Sequence, residues 1–159
     1  MREKIEIPVN EALPMLAEMI KLKYVTDELG RSSGWIYQKM HYKQVKTRSK
    51  GFNESDISSL NEVFERIGEK LLRTQISEFP NWDDDTYSEG ETIPEQLKSL
   101  SKVINMSYIY VGKLGKDANW FSQRIATPDK YRFKEEHIML INLAILEIGK
   151  KLLSIKVTL

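Results

Sequence analysis

Apolar residues recur at helical spacing along two stretches of the chain, Ile57, Leu60, Phe64, Ile67 and Leu71, then Ile138, Ile141, Ile145, Ile148 and Leu152. A stripe of this kind falls on one side of a helix with 3.6 residues per turn. It predicts two long amphipathic helices, about Glu54 to Leu72 and Lys134 to Leu153, with Asn53 capping the first. Ahead of each lies another apolar-periodic segment, roughly Asn10 to Leu29 and Pro94 to Leu114, expected to bend or break. Pro14 is expected in its first turn, where a missing N–H costs little. Gly30 and Gly115 directly follow the last apolar residue, as a C-cap glycine does. A short helix comes next, about Ser32 to Met40 and Asp117 to Ile125, with Ser32 or Ser33, and Asp117, suited to cap it.

The pattern therefore repeats, and residue identities repeat with it. Leu29, Gly30, Trp35 and Gln38 meet Leu114, Gly115, Trp120 and Gln123 at an offset of 85. That offset also pairs Met15 with Leu100, Met19 with Ile104, Tyr24 with Ile109 and Val25 with Tyr110. Past the short helix the offset becomes 81, joining Phe52 to Phe133, Asn61 to Asn142 and Gly68 to Gly149. The fold class expected is all-α: two tandem three-helix units, helix-turn-helix-like, related by internal duplication. They occupy residues 1–77 and 92–159, joined by a connector over 78–91. One face departs from the repeat. Ser58, Ser59, Glu62 and Glu65 of the first long helix become Met139, Leu140, Leu143 and Leu146 of the second. A helix apolar on two faces needs cover on both, so the second long helix is expected to pack against the first unit, against a partner chain, or in an enlarged local core.

Composition narrows the class. With 41% hydrophobic and 30% charged residues, the 159-residue chain has material for a core and a well-solvated surface. It has no cysteine, which excludes disulfides and thiolate metal sites. The opening residues lack the apolar run of a signal peptide, and no stretch is long enough to span a bilayer, so a cytoplasmic protein is expected. The net charge of +1 is unevenly spread: residues 78–91 hold six acids and no base, between two mildly basic blocks.

Enzyme signatures are missing, and no catalytic residue, cofactor or metal is expected. His41 and His137 lack metal-ligand spacing. Asp83, Asp84 and Asp85 lack the alternating ligands of a calcium loop and read as a solvated acidic loop. Gly30 to Gly34 has no lysine before a serine or threonine and is not a phosphate loop. Six bases and no acid fall within residues 31–50 (Arg31, Lys39, Lys43, Lys46, Arg48, Lys50), interleaved with Trp35, Tyr37 and Tyr42. Residues 113–134 again hold six bases, against two acids. Cations gathered beside a short helix are the electrostatic footprint of a phosphate backbone, although a basic solvated face looks the same. Arg31, Lys39, Lys43, Lys46, Arg48, Lys116 and Arg124 are the candidate backbone contacts. Ser32, Ser33, Asn119, Gln38 and Gln123 are the polar groups able to reach phosphates or base edges. Trp35 and Trp120 read first as anchors that wedge the short helix onto the long one.

Helix, glycine and short helix, with Ile36 or Phe121 midway, resembles the helix-turn-helix of bacterial repressors. It departs from that pattern at Thr26 and Val111, where a small residue is usual, and at Arg31 and Lys116, where an apolar one is. The blocks Leu29 to Met40, Phe52 to Glu54 and Ile67 to Leu71, with their second-unit counterparts, also resemble a domain-of-unknown-function family of small proteins from gut bacteria and their mobile elements. That resemblance implies a helical fold and no established activity. The function expected is a regulatory protein binding double-stranded DNA. The alternative is a helical protein-interaction or structural module, dimeric through the helix over 134–153.

Overall fold

The computed structural model describes residues 3–41, 51–77 and 92–159. Among them are eight helices and a two-stranded sheet. The chain begins with strand β1 (Ile5–Pro8) and passes into α1 (Val9–Ala17), α2 (Leu22–Glu28), α3 (Trp35–Met40) and the long α4 (Glu54–Leu72). The second half runs α5 (Ile93–Leu100), α6 (Met106–Tyr110), α7 (Ala118–Ala126), the long α8 (Glu135–Ser154) and strand β2 (Ile155–Thr158). The acidic connector over 78–91 and the candidate contacts Lys43, Lys46 and Arg48 lie outside the described residues.

The helical stripes form the core as the periodicity requires. Ile57, Leu60, Phe64, Ile67 and Leu71 are buried on α4, and Ile141, Ile145, Ile148 and Leu152 on α8, in one apolar cluster drawn from both halves. Asn53 caps α4 in a reciprocal box: its Oδ1 accepts from the Asp56 N–H at 2.8 Å, and Asp56 Oδ2 accepts from the Asn53 N–H at 3.1 Å. Asp117 caps α7 by accepting from the Trp120 N–H at 2.8 Å. Ser32 and Ser33 cap nothing, because α3 opens later, at Trp35, with Gly34 ahead of it and no side-chain cap. Pro14 lies inside α1 and not in its first turn, since the helix already starts at Val9.

Both first helices break, and the two breaks meet. The Lys21 N–H donates to Val103 O at 2.8 Å, and the Asn105 N–H donates to Met19 O at 2.9 Å. Leu22 and Met106 then open α2 and α6. Burial here follows a spacing of 84 residues, where the matching letters gave 85: Leu13, Leu16, Ile20 and Val25 are buried, and so are Leu97, Leu100, Ile104 and Ile109. At that spacing the half-buried Tyr24 is set against the half-buried Tyr108, where the sequence offset pairs it with Ile109. One extra residue is taken up by a widened turn, in which the Leu114 N–H reaches back to Ile109 O and the Lys116 N–H to Tyr110 O. Beyond it Gly30 and Gly115, with φ of 68° and 66°, end the two segments in the left-handed conformation that glycine adopts without a Cβ penalty.

The long helices run antiparallel, and their contacts are reciprocal. Asn61 of α4 holds Val157, beyond α8, donating to its carbonyl at 2.9 Å and accepting from its N–H at 2.8 Å. Asn142 of α8 holds Ile76, beyond α4, with the same two bonds at 2.9 and 2.7 Å. Midway, Gly68 and Gly149 face each other so closely that a Cβ on either would sit 3.1 or 3.0 Å from the other's carbonyl oxygen.

An all-α class omits one feature. β1 and β2 pair in parallel, with Ile5 opposite Ile155 and Ile7 opposite Val157. Each strand has four residues, too few for periodicity to stand out, yet Ile155 and Val157 are buried and fix the register.

Candidate interaction surfaces

The short helices owe their position to their tryptophans. Trp35 meets Phe52 edge-on at 5.7 Å between ring centroids, with 83° between the planes, and Trp120 meets Phe133 at 5.7 Å and 82°. Both indoles are half-buried, so they wedge the short helix against the entry to the long one and present no open stacking platform. Ile36 is fully buried behind Trp35, while Phe121 stacks on Tyr110 at 4.9 Å.

The cations nominated from sequence gather on these indoles. Arg31 lies 5.4 Å and Lys39 6.0 Å from the Trp35 centroid; Lys116 lies 5.8 Å and Arg124 4.2 Å from that of Trp120. Lys39 also pairs with the buried Asp56 at 3.7 Å, and its side chain is only 17% exposed. Arg124 donates to Trp120 O at 3.1 Å, and its Nε is buried with no hydrogen-bond acceptor. Lys39 and Arg124 are therefore turned toward the body of the protein. Arg31, Ser32, Ser33, Gln38 and Asn119 are exposed, and Lys116 and Gln123 are half-buried.

The two halves differ under these indoles. Where α4 carries Asp56 in its first turn, α8 carries His137, also buried, 5.0 Å from Trp120 and edge-on to it. Its Nδ1 accepts from the Lys134 N–H at 3.2 Å, which requires an unprotonated Nδ1. Burial lowers the His137 pKa from 6.5, Glu136 opposes the shift, and Lys116, Arg124 and Lys134 add to it. The unfolded chain thus takes this proton first, so stability is complete above about pH 6.5 and drains away as pH falls through the folded value. His137→Asp reinstates a carboxylate beside Arg124, and melting temperatures between about pH 8 and pH 5 should then fall less steeply than in the wild type. Parallel slopes for the two proteins would show that another group is responsible.

A different surface emerges on α8. On the side away from the core Met139 is 58% and Leu143 54% exposed, with Leu140 and Leu146 beside them. Met139, Leu143 and Leu146, together with Leu72, Ile76 and Ile138, line an open groove of about 890 Å³. The corresponding groove beside α4 is lined by Ser58, Glu62 and Glu65. The sequence singled out Met139, Leu143 and Leu146 on this face as the dimer contact of the alternative reading, although the same stripe also fits an enlarged core. No helix among the described residues is long and apolar enough to cross a membrane.

Residues 9–77 match the family model described as Domain of unknown function (DUF5053). The DUF5053 match runs from the start of α1 to the end of the Thr74–Ser77 segment, which is the first half without β1. It supports the expectation of an uncharacterised family for that half. No curated protein and no solved structure matches the chain.

Proposed function

We propose that this chain is a non-enzymatic interaction module, made of two diverged copies of one helical unit, that docks a partner on the outer face of α8. One observation carries the reading. At corresponding positions the first unit is polar, Ser58, Glu62 and Glu65, and the second is apolar, with Met139 and Leu143 exposed and Leu146 half-buried. Exposed apolar side chains scattered singly are ordinary, but a contiguous set along one helix marks a contact surface. The duplication is supported by the reciprocal Asn61 and Asn142 clamps, the facing glycines and the matched Trp–Phe pairs.

A second reading, binding of duplex DNA through the helix-turn-helix-like segments, draws on the exposed Arg31, Ser32, Ser33 and Gln38 on and before α3 and Asn119 on α7. It is weakened by the inward turn of Lys39 and Arg124.

The test replaces Leu143 by serine at a concentration where the protein is monomeric. A docking residue should change unfolding stability by less than about 0.5 kcal/mol, whereas a core leucine costs about 2–5 kcal/mol. A loss of core size sinks the reading. A duplex that binds wild type and variant alike, with affinity falling steeply as salt rises, favours the second one.

A further inference from the structure

The outer face of α8 has a charge pattern as well as an apolar stripe. Glu136, Met139, Leu143, Leu146 and Lys150 follow one another at spacings of three and four residues, and so share one side of the helix. Glu136 and Lys150 lie seven residues to either side of Leu143, about 10 Å along the axis in each direction. Both are exposed, and neither has an ion-pair partner among the described residues. Glu147, by contrast, is engaged at 3.1 Å by Lys113.

Such a stripe is complementary to itself when reversed. Turned end for end about Leu143, it lays apolar residues on apolar residues and sets each Glu136 opposite the other copy's Lys150. Isologous contacts are built in this way, one patch meeting the same patch across a two-fold axis. The matching face of α4 cannot substitute, since Ser58, Glu62 and Glu65 would place acids against Met139 and Leu143.

We infer that the partner for this face is a second copy of this chain, with the two α8 helices packed antiparallel across a two-fold at Leu143. The inference rests on the docking reading above and goes further by naming the occupant. In the dimer Leu143 packs near its own counterpart, and Met139 near the Leu146 turn of the other copy. The Glu136–Lys150 pairs occur twice, once at each end, and they fix the antiparallel direction. A parallel arrangement would set Glu136 against Glu136 and Lys150 against Lys150.

Sedimentation equilibrium on the full chain, from about 1 μM to about 500 μM, tests this, since that range spans the affinities of transient dimers. Wild type should pass from monomer to dimer. Leu143→Glu should remain monomeric with an unchanged far-UV circular dichroism spectrum. Glu136→Lys and Lys150→Glu should each weaken the dimer about tenfold, because each creates two like-charge contacts. The double charge swap should return to wild-type affinity. A wild type that stays monomeric throughout overturns the inference, and so does a dimer indifferent to the single reversals. If Leu143→Ser is also neutral in stability, a monomeric wild type still leaves α8 as the dock for a different partner, so the two claims fail separately.

Discussion

Gly149→Val should destabilise the protein by more than about 3 kcal/mol, the upper range for forcing a side chain into a filled contact. A Cβ at this position would lie 3.0 Å from Gly68 O, 3.1 Å from Leu71 Cβ and 3.3 Å from Leu72 Cδ2. Two of those neighbours are fixed by the backbone of α4, so the helices must separate along their whole antiparallel contact. Gly149→Ala should cost less, because the one added carbon needs only a few tenths of an ångström and alanine gains about 1 kcal/mol of helix propensity over glycine. Urea denaturation checks the order wild type, alanine, valine. A valine variant within about 1 kcal/mol of wild type would mean that the glycines do not set the approach of α4 to α8. Since the core is one cluster drawn from both halves, the loss should appear as a single transition.

The second large effect is expected at the asparagine clamps. Asn61→Leu strands the N–H and C=O of Val157, and Asn142→Leu those of Ile76, both residues being buried. Each unmade bond to a buried backbone group costs about 1–3 kcal/mol, so roughly 2–6 kcal/mol is expected for either substitution. The local consequences differ. Asn61→Leu frees β2, and among the described residues β1 pairs only with β2, so amide exchange should quicken over Ile155–Thr158. Asn142→Leu should leave that strand pair protected. Equal protection in the two variants would contradict this division of labour.

Much of this architecture was legible in the residues. The long helices, the glycine-terminated segments before the short helices and the Asn53 and Asp117 caps follow from periodicity and cap chemistry, both local. What escaped was set by distant contacts. Ile5 and Ile7 pair with residues about 150 positions away, and four alternating residues carry too little signal to declare a strand. The alternation Ile155-Lys156-Val157-Thr158 was the available clue. The one-residue slip between Tyr24 and Tyr108 was hidden for another reason. Matching letters favoured an offset of 85, while burial of Ile109, with its extra residue absorbed before Gly115, follows 84. At the candidate sites, Arg31, Lys39, Lys116 and Arg124, nominated from sequence as phosphate contacts, lie beside Trp35 and Trp120. Periodicity did not orient them: Lys39 is turned by Asp56, which arrives from α4, and Arg124 by the carbonyl and ring of Trp120.

The reciprocal clamps have a consequence for the covalent connection itself. Each half is completed by backbone that follows the other half's long helix, so neither owns all the hydrogen bonds it needs. A protease that cuts between Ser77 and Thr92 should therefore release nothing: the fragments stay together as a non-covalent pair until denatured. The peptide bonds between Ser77 and Thr92 then keep the two pieces at high effective concentration however dilute the solution.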